Sequence, residues 1–438
     1  MRGDVAISIT LSIVAVTASQ GGTTSKGGPP PLKPSGAPNT VCSFNTGAFV
    51  ASLISRDGTR FAIVHYVNGY NIEVYSTQSC ALLWQQPIAA STDEGIGSFN
   101  GSDDLTTLAV LYGDVSAPTD GATRLEIYDT VQHSLVGSRQ KWDAGGLVSP
   151  SGNYVAVEGK DSEPSEGDDR YLTLVSRTVQ ELWTGETCGG YPLNLSMSYD
   201  AEYVTCDLDI YNRGGTHLFE VAPSESEPPA NGDNYSVEIM AQLSRNTQIG
   251  SFTYVSFQRS SHQAVEHFQL RNVTGGTLGQ LLWENNEPIF DSRITDDASH
   301  IFGVSADGLF MYDRQGNQLW HFDPGYQQPL MAPIIGMSAN GSVVASILYP
   351  PGNYVQSGGD LPLGISPTPD TVYVLNGVTG AVLWQQAVGD IGVPRVEMSG
   401  DGKTLVIQGD HVLTVYDLSS IIPAGGFSPV KPGTPPGS

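Results

Sequence analysis

The stretch VYVLNGVTGAVLWQQ, residues 372–386, returns in worn form as VYSTQSCALLWQQ, residues 74–86. The shared letters are apolar, aromatic or turn-forming, types that build structure and seldom carry chemistry. A phrase repeated so far along a chain marks a repeat architecture. Aligned on its tryptophan, it reads SCALLW to Trp84, TVQELW to Trp183, LGQLLW to Trp283, QGNQLW to Trp320 and TGAVLW to Trp384. The sixth tryptophan, Trp142 in SRQKWD, reads as the same phrase displaced by a few residues. No tryptophan is then left over to stack on a ligand.

A second landmark precedes each phrase, a turn of the form S-x-D-G followed by alternating apolar residues. It stands at 55 (SRDGTRFAIV), 98 (SFNGSDDLTTLAVL), 149 (SPSGNYVAV), 198 (SYDAEYVTC), 244 (SRNTQIGSFTYVSF), 295 (TDDASHIFGV), 338 (SANGSVVASIL) and 399 (SGDGKTLVI). Successive spacings are 43, 51, 49, 46, 51, 43 and 61 residues. Asp-Gly or Asn-Gly supplies the left-handed backbone of a tight hairpin. The branched and aromatic residues after it suit a half-buried strand. With a third strand such as LEIYD, a further turn and the Leu-Trp strand, each unit is four short antiparallel strands, one propeller blade. The anchors predict an all-β, eight-bladed propeller, or seven blades if the weak anchor at 244 is not one. The last unit stops at its third strand, VLTVYDLSS, and TVCSFN at 40–45 is free to supply the missing outer strand and close the ring.

The segment VLNGVTGAVLW, residues 374–384, resembles the tryptophan-docking motif A-x-D-x-x-T-G-K-x-x-W of the quinoprotein-like (PQQ-binding-like) propellers. Asn376 stands at the Asp position, Thr379 and Gly380 match, and Ala381 replaces the Lys. YDRQGNQLW (312–320) is a shortened copy and VYSTQSCALLW (74–84) a degenerate one. The resemblance implies that Trp84, Trp183, Trp283, Trp320 and Trp384 girdle the ring and lock each blade to the next. It also implies an alternative activity, that of a PQQ-dependent oxidoreductase. Such an enzyme holds its quinone at the mouth of the central funnel, with an aspartate base, a calcium-binding Glu/Asn/Asp set and often a vicinal disulfide. This chain has no vicinal cysteines, and no acidic residue stands in a context that carries those ligands over.

Composition agrees with many strands and turns: 51 glycines, 28 prolines and only 15% charged residues suit no helical bundle. A net charge of −25 repels phosphate backbones and argues against nucleic acid as a partner. The acidic run DSEPSEGDDR, 161–170, contains Pro164 and lacks the spacing of an EF-hand, so it reads as a solvated loop, with calcium as the sharper alternative. The eight histidines form no ligand-spaced pair, and His262 and His267 read as surface residues at a loop and strand start. There is no nucleophile elbow and no phosphate-binding loop. No catalytic, cofactor or metal residues are expected.

The N-terminus reads as a cleaved secretory signal over 1–18: Arg2, an apolar run from Val5 to Val16, then small residues to Ala18. Neither that run nor any later segment is long enough to span a bilayer. Residues 19–39 form a Gly/Pro-rich linker, 40–422 the propeller domain, and 423–438 a Pro/Gly-rich tail. In a secreted chain the four cysteines imply two disulfides, and proximity favours Cys42–Cys80 and Cys188–Cys206. Five sequons, at Asn100, Asn194, Asn234, Asn272 and Asn340, all fall in expected loops and read as glycosylation sites.

If strands A to D run outward from the axis, A–B and C–D turns share one face, and B–C and D–A connections share the other. The long unrepeated insertions, 113–123, 159–170 and 349–370, all fall at B–C positions. Recognition usually lives in such loops. Tyr349, Tyr354 and Asp360 are the candidate contact residues. The expectation is a secreted, glycosylated, non-catalytic propeller binding an extracellular protein or glycan. The alternatives are the quinone-dependent oxidoreductase and a calcium-centred propeller hydrolase or lactonase.

Overall fold

The computed structural model describes residues 36–44, 48–66, 69–88, 94–114, 123–160, 170–188, 195–206, 209–221, 234–245, 249–258, 263–285, 289–305, 308–324, 334–348, 371–388, 395–409 and 411–423. Its strands form eight blades, each a four-stranded antiparallel sheet, and the described residues include a single helical turn, Gly275–Thr277. Blades 1 to 7 occupy residues 48–88, 94–141, 142–188, 195–220, 234–285, 289–322 and 334–387. Blade 8 combines residues 395–417 with the N-terminal strand Asn39–Phe44. Its register pairs Cys42 with Val415 and Phe44 with Leu413, so the ring closes with the strand expected to close it.

The middle strands lie between neighbouring blades and are covered on both sides. Phe61, Ala62, Ile63 and Val64 are therefore all buried in succession, as are the six residues Val343–Leu348. Such unbroken apolar runs mark strands covered on both faces. Eight hydrophobic clusters result, one at each joint between blades. The core of this molecule is a ring of eight small cores, each side chain contributing roughly 1.5–3 kcal/mol on burial.

The A–B turn repeats one local solution. Ser399 Oγ donates to Asp401 Oδ1 (2.7 Å) and accepts from Thr404 N (2.9 Å), while Asp401 Oδ1 accepts from Lys403 N (3.0 Å). Ser55 with Asp57 and Thr295 with Asp297 make the same contacts. The fourth turn residue has φ near +70° in Gly402 and Gly58, yet Leu105, Ala201 and Ala298 also adopt positive φ there. The anchor read at residue 98 is displaced: the turn serine of blade 2 is Ser102, bonded to Asp104 at 2.7 Å. The first two spacings both become 47 residues. The fifth anchor at Ser244 is a true A–B turn, closed by Ser244 N to Ile249 O at 2.8 Å.

The tryptophan girdle is visible atom by atom. Trp320 Nε1 donates to Gly377 O of the next blade, and Trp183 Nε1 to Arg213 O, each at 2.7 Å. Gly380 lies flat on the indole of Trp320: a Cβ there would stand 2.9 Å from its ring. With φ +71° as well, this position accepts a side chain only under strain. Gly215 on Trp183 and Gly316 on Trp283 repeat the contact. Trp84 and Trp384 pack instead against Tyr128 and Tyr416 of their following blades, with centroids 5.9 and 5.2 Å apart.

Trp142 does not belong to this set. The equivalent residue of blade 2 is Gly137, opposite Ile127 in register and packed on Val179. Trp142 comes five residues later, where the strand Ser134–Val148 has passed into blade 3 and pairs with Lys160. That one strand is both the outer strand of blade 2 and the inner strand of blade 3, joining them into a seven-stranded sheet. In blade 4 the position is filled by Phe219, opposite Ile210, and a Cβ on Gly279 of blade 5 would stand 3.3 Å from its ring.

Candidate functional site

The two ends of the ring differ. In seven blades the C–D turn is bonded to the A–B turn beside it, as in Thr77 N to Thr59 O (3.0 Å) and Gly377 N to Ser342 O (2.8 Å). Both turns therefore lie on one face. Here the second residues of successive A–B turns are linked around the axis. Asp296 N donates to Ala339 O, Ala339 N to Gly400 O, Gly400 N to Arg56 O, Arg56 N to Asp103 O and Asp103 N to Pro150 O, at 2.6–3.0 Å.

One structural position is thus presented to the axis eight times, by Arg56, Asp103, Pro150, Tyr199, Arg245, Asp296, Ala339 and Gly400. Its charged members pair across the ring and not with neighbours: Arg56 with Asp296 of blade 6, and Arg245 of blade 5 with Asp103 of blade 2. The Arg245 guanidinium also sits over the Tyr199 ring at 5.2 Å. Burial and the charge of Arg56 push Arg245 down to about 10, against the pull of Asp296, so it stays charged at neutral pH. Two ion pairs cross the axis at this face.

Deeper along the axis, the inner strand of blade 6 places Asp291 2.8 Å from Arg293. Glu397, on the inner strand of blade 8, faces a cavity of about 230 Å³ shared with Arg56, Asp103, Leu53, Met337 and Met398. Burial pushes the carboxyls of Glu397 and Asp291 up, opposed in both by Arg293 and, at Glu397, also by Arg395. Among the described residues no group of three or more His, Cys, Asp or Glu is placed to hold a metal ion. Among the described residues the axis holds arginines among its acids.

The long insertions leave the sheets at the opposite face. The strands of blades 2, 3 and 7 stop at Asp114, Lys160 and Leu348 and resume at Thr123, Arg170 and Thr371. Tyr349, Tyr354 and Asp360, like the acidic run at 161–169, lie outside the described residues. Two described features share this face. Tyr66 and Tyr70 flank the B–C connection of blade 1 with rings 5.0 Å apart, and Tyr66 is 51% exposed. The B–C hairpin of blade 5, Ile249–Gln258 with Gln263–Asn272, has ten-residue strands where blade 4 has four. At about 3.3 Å per residue it stands well proud of its neighbour.

Other expected site residues fall as follows. The Cys42–Cys80 disulfide is present, and Cys206 is disulfide-bonded, while the side chain of Cys188 lies outside the described residues. Asn100 is not in a loop. It lies in the inner strand Glu94–Gly101, and its Nδ2 donates to Gly146 O and Ser98 Oγ. Asn340 is exposed in an A–B turn and Asn272 ends a strand at a C–D turn. Asn194 and the side chain of Asn234 lie outside the described residues. His267 is no surface residue: it is 3% exposed, with Nδ1 2.6 Å from Glu284. His262 lies outside the described residues.

The axial residues escaped the reading of the sequence, although a signal was there. The anchors fix the Ser and the Asp of each turn, and the residue between them is the one that faces the axis.

Solved structures share this fold. The β-propeller BamB from Moraxella catarrhalis matches with a TM-score of 0.53 and 13% identity, over 87% of this chain and all of that one. The β-propeller domain of Cps50 (Swd1) from Myceliophteria thermophila matches with a TM-score of 0.47 and 9% identity, over the same shares. No family model and no curated protein sequence matches. The match to BamB shows the propeller fold, and as architecture the resemblance carried by the tryptophan motif holds.

Proposed function

We propose that this chain is a non-catalytic recognition module that binds an extracellular protein or glycan on its B–C face. The observation that carries the reading is the asymmetry of the two ends. One face is short turns, tied together and crossed by ion pairs. At the other the long insertions leave the sheets, and there the exposed Tyr66 stands beside the half-buried Tyr70 and the hairpin of blade 5 projects. Aromatic residues on loops borne by a rigid scaffold are the common anchors of recognition. Secretion, through a signal over residues 1–18, belongs to the same proposal. So does glycosylation at Asn194, Asn234, Asn272 and Asn340, but not at Asn100, whose amide nitrogen is engaged between inner strands.

The quinone and calcium readings fit the axis poorly. Among the described residues the acids at the axis stand beside arginines, Asp291 and Glu397 near Arg293, and Asp103 and Asp296 paired with Arg245 and Arg56, and these charges oppose a bound calcium ion. Adding the quinone with calcium and following its absorbance checks those readings directly.

The recognition reading is tested by replacing residues 349–370 with a short Gly/Ser turn. Capture of partners from the native extracellular milieu should be lost while the thermal midpoint stays within about 2 °C, since the described cores of the adjoining joints are built from residues outside the replaced segment. Capture that survives the replacement moves recognition to another surface.

A further inference from the structure

A covalent bond joins two blades where the ring closes, and both its residues occupy docking positions. Cys42 pairs with Val415 in the outer strand of blade 8, as Trp384 pairs with Val374 and Trp84 with Val74 in theirs. Cys42 therefore stands where the other blades carry the girdle tryptophan. Cys80 occupies the position of Gly380 and Gly316 in the C–D turn of the next blade, and it shares their left-handed backbone, φ +56°. The turn itself sets that backbone, since His133 and Val179 adopt it at the same position in blades 2 and 3. From there Cys80 reaches Cys42 across a Cα separation of 5.9 Å. At this joint a disulfide replaces the indole-on-glycine contact.

We infer that the Cys42–Cys80 disulfide is a redox latch on the N-terminal strand, so that the ring is locked when oxidised and its first strand is released on reduction. The remaining supports of Asn39–Phe44 include one edge of backbone pairing to Leu413–Asp417, the half-buried Val41 at the joint, and the Phe44 ring against Phe61 and Tyr75. None continues into blade 1 as a sheet, and no indole spans the gap. Cys42 is buried, at 4% exposure, whereas Cys80 is half-exposed at the rim. A dithiol reductant reaches Cys80 first. Its thiolate forms a mixed disulfide with Cys80 Sγ and displaces Cys42 as a thiolate. The second thiol of the reductant then closes a ring disulfide and releases Cys80, the two protein sulfurs taking up the protons. The chain gains two thiols, and one reductant molecule is oxidised.

Amide hydrogen exchange on the full chain, with and without dithiothreitol, reads the latch locally. Reduction should speed exchange across residues 40–44 roughly hundredfold, the order expected for losing a cross-link, while residues 372–375 of blade 7 change less than about twofold. A Cys42→Ser/Cys80→Ser variant should exchange fast in that strand under both conditions. The double exchange Cys42→Trp/Cys80→Gly rebuilds the ordinary joint and should exchange slowly under both. Equal protection of 40–44 in the oxidised protein, the reduced protein and the serine variant overturns the proposal. The serine variant carries the test alone if the tryptophan variant does not fold.

Discussion

The rim and the axis of this ring use the same device, one position repeated eight times, to opposite ends. At the rim the position wants a large flat side chain facing a glycine. Five blades supply tryptophan against a turn residue or tyrosine with little variation, and one substitutes phenylalanine at Phe219. At the axis the second residue of the A–B turn is a different type in nearly every blade, and its charges find partners across the ring. A rim joint is local: each blade meets only its neighbour, so one good solution can be copied. An axial residue meets several blades at once, and eight copies of one charged residue there would repel one another. Repetition marks where blades are held together, and its absence marks what the ring does collectively.

That contrast can be broken at the rim first. Trp320→Ala removes a buried indole and its hydrogen bond to Gly377, and should cost about 3–5 kcal/mol in denaturant unfolding. Gly380→Ala attacks the same joint from the other side. It sets a methyl 2.9 Å from the indole at positive φ and should cost about 2 kcal/mol, without loss of any native contact partner. A cost near zero for either would mean that the girdle only fills space.

At the axis the effects should be smaller and should depend on salt. The side chains of Arg56 and Asp296 are 31% and 33% exposed, so a double-mutant cycle to alanine should give a coupling of about 0.5–1 kcal/mol that largely vanishes in 1 M salt. The exchanged pair Arg56→Asp/Asp296→Arg should recover most of it. Glu397→Gln should change stability in a pH-shaped way. Its folded carboxyl is held above the ordinary value of 4.5, so the folded state prefers the proton and loses stability as pH rises past that value. The glutamine variant should unfold at higher temperature than the parent at pH 8, with the gain closing as pH falls towards 4. A gain independent of pH would assign the effect to packing.

The blade count was legible because the A–B turn is solved by nearby residues alone. Ser399, Asp401 and Gly402 satisfy each other's hydrogen bonds within six residues, so the sequence has to spell the motif out. The tryptophan positions were legible for the same reason, except where the joint accepts a substitute. Phe219 and Gly137 fill the slot without its letter, and Trp142 carries the letter outside the slot. The Cys42–Cys80 pairing could be read from proximity, but its meaning as a joint needed the register of the closing strand against Leu413–Asp417. The axial ion pairs were not legible. Arg56 and Asp296 meet over a separation of 240 residues, which only the closed ring brings together. Charge on an isolated turn looks like any solvated surface residue.

The strand Ser134–Val148 has one more consequence. Among the described residues every other blade is a sheet of its own, so new termini could be opened between the last strand of one and the first of the next without cutting a ladder. Between blades 2 and 3 there is no such place: a cut near Trp142 severs backbone that is hydrogen-bonded in both. A circular permutant opened between residues 88 and 94 should assemble, and one opened at 142 should not. By the same reasoning, a gene built by copying single blades could not have inserted one at this point without first breaking the strand, which makes these two blades the natural unit of duplication or loss.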